Sequence, residues 1–238
     1  MKYLVCNLKN KMNLQETKIH ANKVNDFNIG KTQLIIMPSY PFFSFYEPIS
    51  YELGSQDISS FKDTTATGEI TSEQLKDFNV NYVLIGHSER RILKNEINID
   101  FINKINHAQS SNLKVIYCIG ETLRERENGQ IYDTLEQQMS EVLNNVIKRD
   151  IIIAYEPVWA IGTNMSPNAA DIENIIQYIK DIGEEKYNIN FKVLYGGSVN
   201  LKNIESLNNI KNIDGFLVGG SSLDADNIRN MLEIMDKN

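Results

Sequence analysis

The sequence predicts an α/β protein, a closed parallel (β/α)8 barrel built as a single domain over residues 1–238. Three observations predict it. Short apolar runs recur eight times along the chain. Segments with apolar residues at helical spacing separate most of them, and strands alternating with helices imply a parallel sheet with right-handed crossovers. Eight such units in 238 residues fit an eightfold barrel near the low end of its usual size. A doubly wound open sheet is the alternative. The glycine fingerprint that would follow its first strand is missing, because Asn7-Leu8-Lys9-Asn10 stands there.

Taken in order, residues 3–6 and 33–37 are apolar runs of strand length. Residues 38–50 are rich in aromatics and prolines, which predicts a short, irregular helix. Strands follow at 51–56 and 82–85. Residues 99–110 carry Ile and Phe at helical spacing, and 114–119 form the fifth strand. A helix over 131–147 repeats Leu135, Met139, Val142 and Val146 and leads to the β-branched strand 151–155. Residues 169–182 give a helix with Ile172, Ile175, Ile176 and Ile179 on one face. Strands at 192–195 and 215–218 and a helix at 225–235, with Ile228, Leu232 and Met235, complete the series. Asp171 and Asp226 place negative charge early in two helices, where the backbone dipole favours it. No linker or low-complexity run interrupts the chain.

Composition narrows the partners. Hydrophobic residues make up 42%, charged residues 23%, and there are five prolines, an ordinary globular balance. The net charge of -7 argues against a general affinity for nucleic acid or a membrane surface, so attraction to an anionic ligand must be local. Cys6 and Cys118 each sit in an apolar run, which favours reduced, inert thiols and a cytoplasmic protein. With two cysteines and three scattered histidines, His20, His87 and His107, metal-ligand spacing is missing and no metal is expected. Met1-Lys2-Tyr3-Leu4 runs directly into a strand, so no signal peptide is expected, and no apolar run reaches membrane-spanning length.

In a (β/α) barrel, residues just past the C-terminal ends of the strands meet on one face. Strand one delivers Asn7 and Lys9, and strand four delivers Gly86-His87-Ser88-Glu89-Arg90-Arg91. Strand five delivers Cys118-Ile119-Gly120-Glu121. Strand six delivers Glu156, then Pro157 and the apolar, lid-like stretch ending at Gly162. A carboxylate that loses water under such a lid becomes a better general base. Strands seven and eight end in Gly196-Gly197-Ser198 and Gly219-Gly220-Ser221, glycine turns that let backbone N–H groups approach an anion at the usual phosphate position of this architecture. A neutral His87 can donate to a carbonyl and shuttle a proton, and Lys9 supplies local positive charge, with Glu89 as its ion-pair partner. Ser88 and Glu89 can cap or begin a helix, and for Glu89 a capping role is as simple as the ion pair.

These residues resemble the triosephosphate isomerase family. The matching motifs are Asn7-x-Lys9, Ile85-Gly86-His87-Ser88-Glu89-Arg90-Arg91, Cys118-x-Gly120-Glu121, Tyr155-Glu156-Pro157-x-Trp159-Ala160-Ile161-Gly162-Thr163, Tyr195-Gly196-Gly197-Ser198-Val199 and Val218-Gly219-Gly220. They run in order from residue 4 to about residue 223, and Ala66-Thr67-Gly68-Glu69-Ile70 matches the family's interface loop. The resemblance implies interconversion of dihydroxyacetone phosphate and D-glyceraldehyde 3-phosphate without any cofactor. It assigns Glu156 as the base, His87 as the group that polarises the carbonyl, and Asn7 and Lys9 as stabilisers of the enediolate and the phosphate. Main-chain N–H groups of Gly162, Ser198, Gly219 and Gly220 would hold the phosphate, with Glu89, Ser88 and Cys118 in support. It also implies a homodimer through loop 59–69. Two departures stand out: Cys6-Asn7-Leu8-Lys9-Asn10 where the family usually has Gly-Asn-Trp-Lys-Met, and a far lid hinge reading Asn164-Met165-Ser166. A barrel acting on another sugar phosphate, or one kept for binding alone, are the rival readings. The chain is also shorter than most members, so trimmed outer helices are expected.

Overall fold

A computed structural model describes residues 1–61, 65–161 and 167–237. Eight parallel strands close into one barrel in sequence order. They are β1 (Tyr3–Asn7), β2 (Gln33–Met37), β3 (Glu52–Ser55), β4 (Val80–Ile85), β5 (Lys114–Ile119), β6 (Ile151–Tyr155), β7 (Val193–Tyr195) and β8 (Gly215–Val218). Closure is made by β8 against β1, with Tyr3 opposite Gly215 and Cys6 opposite Val218. Gly215 must lie flat here, since a Cβ would come within 2.1 Å of the Tyr3 carbonyl. The register slips once, between Leu53 and Gly54, so β4 begins at Val80, two residues before the apolar run suggests.

Among the described residues the helices are α1 (Leu14–Asn25), α2 (Ser72–Lys76), α3 (Ser88–Lys94), α4 (Asn98–Ser110), α5 (Leu123–Glu127), α6 (Ile131–Leu143), α7 (Ala169–Tyr187), α8 (Ile204–Asn208) and α9 (Ala225–Asp236). The aromatic segment after β2 forms only a 3₁₀ turn, Tyr40–Phe45. The helices after β3 and β7 have five residues each, a trimmed outer shell. Two expected boundaries are corrected. The helix over 131–147 stops at Leu143, where Asn144 caps it, though Val146 is still buried. The helix over 169–182 runs on to Tyr187, because Gly183 is packed against the Phe191 ring, where a Cβ would lie 2.6 Å from a ring carbon.

Side chains alternate along each strand between the barrel interior and the helical shell. Leu4, Cys6, Leu34 and Ile36 join the large cluster under the helices. Val5, Met37, Leu84, Cys118, Ala154, Leu194 and Leu217 point the other way and form a separate interior cluster. This alternation decides which residues reach the mouth.

Candidate active site

Following the inward alternation to the end of β1 and just past the end of every other strand gives Asn7, Ser39, Gln56, Gly86, Gly120, Glu156, Gly196 and Gly219. Half of this ring is glycine, which opens the mouth, and one position carries a carboxylate. The glycines are needed locally. A Cβ on Gly120 would come within 1.8 Å of the Glu156 carbonyl oxygen, and one on Gly196 within 2.9 Å of Glu156 Cγ. The two flanking strands can therefore close on Glu156 only if they end in glycine. The ring opens into a cleft of about 800 Å³ lined by Asn7, Lys9, His87, Glu156 and the turns after β7 and β8.

Glu156 is 2% exposed. Its Oε1 lies 3.3 Å from His87 Nε2, and its Oε2 accepts from the Ser88 N–H at 3.3 Å. Cys118 lies beneath it: burial first, then the Glu156 charge and a hydrogen bond to that carboxylate, push the Cys118 thiol well up, so it stays protonated. Ser88 and Glu89 begin α3, one of the two roles expected of them, and His87 is the residue that caps it. Its Nδ1 accepts from the Glu89 N–H at 3.1 Å. That bond needs the Nδ1 lone pair, so the proton of the neutral ring sits on Nε2, facing the carboxylate and the cleft. Gly86, at φ +75, makes the turn that swings His87 over the rim.

Lys9 has φ 51. Every other non-glycine residue with positive φ among the described residues is asparagine, the side chain that tolerates it best. Lys9 is thus held in a conformation costing about 1–3 kcal/mol. Three contacts hold it: its N–H donates to Asn7 Oδ1 at 3.0 Å, and its carbonyl accepts from Ser39 Oγ at 2.7 Å and Gln56 Nε2 at 2.9 Å. Its Nζ meets Glu89 Oε1 at 2.6 Å. Burial raises the Glu89 carboxyl, but the hydrogen bond and charge of Lys9 outweigh it and leave the group below the usual carboxylate range. Ser198, Gly219 and Gly220 border the same cleft. Gly162 and the hinge Asn164-Met165-Ser166 lie outside the described residues.

Several supporting residues carry no signal beyond their place in a motif. Glu121 is fully buried and accepts from Trp159 Nε1 at 2.9 Å and the Tyr155 hydroxyl at 3.2 Å, anchoring the segment that follows Glu156. Arg91 donates to the Gly86 carbonyl at 2.9 Å and the Cys118 carbonyl at 3.0 Å, tying the ends of β4 and β5. Arg90 and the 2%-exposed Lys104 both bind Asp57 and Glu96, fastening α3 to α4 and the chain after β3.

The family model for triosephosphate isomerase matches residues 2–236. The chain belongs to the triosephosphate isomerase family. A triosephosphate isomerase of Alkaliphilus metalliredigens (strain QYMF) is 38% identical over 231 residues, covering 91% of this chain and 93% of that protein. Those of Mesomycoplasma hyopneumoniae (strain 232) and Mesomycoplasma hyorhinis are 37% and 39% identical, covering 97% and 91% of this chain and 98% and 88% of theirs. The closed barrel and the family resemblance expected from the motifs are both met.

Proposed function

We propose that this chain interconverts dihydroxyacetone phosphate and D-glyceraldehyde 3-phosphate through an enediol(ate), in glycolysis and its reversal, with Glu156 as the base. The observation that carries the roles is the 3.3 Å pairing of Glu156 and His87 beside Lys9 in one cleft. Glu156 takes a proton from the carbon next to the carbonyl, and negative charge grows on the carbonyl oxygen. The His87 Nε2–H donates to that oxygen, with Asn7 and the Lys9 ammonium as further donors. His87 then moves a proton between the two oxygens while Glu156 returns its proton to the neighbouring carbon. One C–H bond breaks and another forms, so the reaction is redox-neutral overall, and we propose neither a metal nor an organic cofactor.

The phosphate belongs at Lys9 and the main-chain N–H groups of Gly162, Ser198, Gly219 and Gly220, where a local cationic site offsets the chain's negative charge. Glu89 orients Lys9, while Ser88 and Cys118 hold the Glu156 carboxylate between turnovers. Phosphate binding energy closes residues 157–163 over the site and keeps water from the enediolate. Glu156→Asp withdraws the carboxylate by one methylene. Turnover in a coupled isomerase assay should fall steeply, by ~10²–10⁴, with affinity for inorganic phosphate nearly unchanged. Near-normal turnover removes Glu156 from the base role.

We propose a homodimer through loop 59–69. The loop neck is pinned by the Ser59 N–H donating to the Ile70 carbonyl at 2.9 Å, and apolar Phe61, Ile92 and Leu93 are left exposed. Most homo-oligomers are twofold dimers. Light scattering on active protein should give twice the chain mass, and a fully active monomer refutes the assignment. No helix among the described residues is long and apolar enough to cross a membrane. With Cys6 and Cys118 both buried as free thiols, we propose a cytoplasmic location.

A further inference from the structure

His20 has no part in this chemistry, yet it is 3% exposed and both ring nitrogens have partners. It projects from α1, with Nε2 2.9 Å from the Ser222 carbonyl oxygen and Nδ1 3.0 Å from the Tyr46 hydroxyl. A carbonyl only accepts, so Nε2 carries the proton, and Nδ1 accepts from Tyr46. The two partners select one neutral tautomer. Burial favours the same state: it pushes His20 below the ordinary imidazole range, against the Ser222 carbonyl and the Asp224 charge and helped by Lys23.

Ser222 is fully buried and bonds twice to Gly219. Its N–H donates to the Gly219 carbonyl at 2.9 Å, and its hydroxyl donates to the same oxygen at 2.7 Å. Gly219 faces the cleft, where a Cβ would lie 3.5 Å from Lys9 Cε, and Gly220 opens onto unfilled space. A continuous series of hydrogen bonds therefore runs from Tyr46 through His20 and Ser222 to the glycine turn.

We propose that His20 is a positioning residue for phosphate recognition: by holding the Ser222 carbonyl it keeps the turn 219–222 in the shape that receives the substrate's phosphate. The proposal rests on the assignment of that turn to phosphate. His20 does not border the cleft and stands apart from the pairing of Glu156 and His87. Its loss should therefore weaken phosphate binding and leave proton transfer alone. A histidine that merely fills the space between α1 and the barrel would affect phosphorylated and unphosphorylated substrates equally.

The test compares His20→Leu, His20→Gln and Tyr46→Phe with the unaltered protein. Three probes are used: D-glyceraldehyde 3-phosphate, D-glyceraldehyde without phosphate, and inorganic phosphate as a competitive inhibitor. For His20→Leu, KM for the phosphorylated substrate and the inhibition constant of inorganic phosphate should rise on the order of fivefold, the worth of one neutral hydrogen bond. In the same variant kcat, and kcat/KM for D-glyceraldehyde, should stay within about twofold. His20→Gln keeps an N–H donor near the Nε2 position and should restore most of the loss, while Tyr46→Phe should shift the same constants in the same direction by less. Equal losses on both substrates, or unchanged phosphate constants in a folded His20→Leu, overturn the proposal. The unaltered protein decides if that variant does not fold. In a ¹H–¹⁵N imidazole spectrum, saturation with inorganic phosphate should move the His20 Nε2 signal, and a signal that stays put overturns the proposal. An unaltered protein that inorganic phosphate does not inhibit overturns both the proposal and the phosphate assignment. Equal inhibition of the unaltered protein and a folded His20→Leu overturns the His20 role alone.

Discussion

Gly120→Ala should cripple the isomerase without touching any side chain of the site. A methyl at Gly120 would sit 1.8 Å from the Glu156 carbonyl oxygen and 2.6 Å from its carbonyl carbon. Both are main-chain atoms, so no side chain can swing aside. Gly120 cannot retreat, because its N–H donates to Gln138 Oε1 at 2.9 Å and its carbonyl accepts from Gln138 Nε2 at 3.0 Å, clamping it to α6. Glu156 must then yield. Relieving the contact to 3.0 Å, the shortest approach Cβ atoms normally make, takes at least about 1.2 Å of movement, and a displacement of ~1 Å of a catalytic group costs ~10²-fold in rate. The coupled assay should show kcat down by about that factor, with the inhibition constant of inorganic phosphate within about twofold, since Lys9 and the turn after β8 stand on strands that pair with neither β5 nor β6. Circular dichroism and a thermal melt confirm that the variant is folded. A folded Gly120→Ala enzyme with unaltered kcat refutes the reasoning that Glu156 is placed by the glycine rim.

Other perturbations follow from the same geometry. Lys9→Ala removes the ammonium paired to Glu89 at 2.6 Å, and inorganic phosphate should then inhibit at least tenfold more weakly, the scale of a charge-assisted hydrogen bond; unchanged inhibition rejects the phosphate role of Lys9. Glu121→Leu removes the buried carboxylate that accepts from the Trp159 indole and the Tyr155 hydroxyl, so denaturant unfolding should show a loss of about 2–5 kcal/mol, and a loss below ~1 kcal/mol contradicts the anchoring role. His20 is held neutral by burial among Ser222, Tyr46, Lys23 and Asp224, so below its usual value of 6.5 the unfolded chain takes up a proton that the fold resists. Its contribution to stability is therefore full above that pH and declines as pH falls through it, by at most about 1.4 kcal/mol per pH unit. The stability difference between the unaltered protein and His20→Gln should shrink on acidification from pH 7.5 to 5.5, and a difference independent of pH contradicts the buried neutral ring.

Apart from β3, Glu52-Leu53-Gly54-Ser55, the strands were legible because each is a short apolar run rich in β-branched or aromatic residues between polar turns, and parallel strands buried on both faces have this pattern. Four long helices, α4, α6, α7 and α9, were legible from apolar spacing, but α1 and the five-residue helices α2, α5 and α8 were not. α2 and α5 have five residues each and show no apolar period; what marks them are the capping pairs Thr71 with Gln74 and Thr122 with Glu125. α1 is capped in the same way by Asn13 and Glu16 and has a mostly polar surface. Boundaries missed where packing overrode local preference, as at Gly183. At the site, Asn7, Lys9, His87 and Glu156 stood out because each ends a strand inside a distinctive motif. Their supports did not. Gln138 lies 18 residues from Gly120, Glu121 lies 34 from Tyr155, and Ser222 lies 202 from His20. Contacts that long in sequence are created by barrel closure and leave no local pattern to read. The strain at Lys9 was likewise invisible, since nothing in Asn7-Leu8-Lys9-Asn10 announces a left-handed lysine.

The central claim is that Glu156 removes a carbon-bound proton from a triose phosphate. Incubating the unaltered protein and Glu156→Gln with dihydroxyacetone phosphate in D₂O, and following the carbon-bound hydrogens by ¹H NMR, tests it most directly. The unaltered protein should replace the hydrogen beside the carbonyl with deuterium as it isomerises, and Glu156→Gln should exchange it at least ~10²-fold more slowly. Exchange at an undiminished rate in Glu156→Gln would contradict the account.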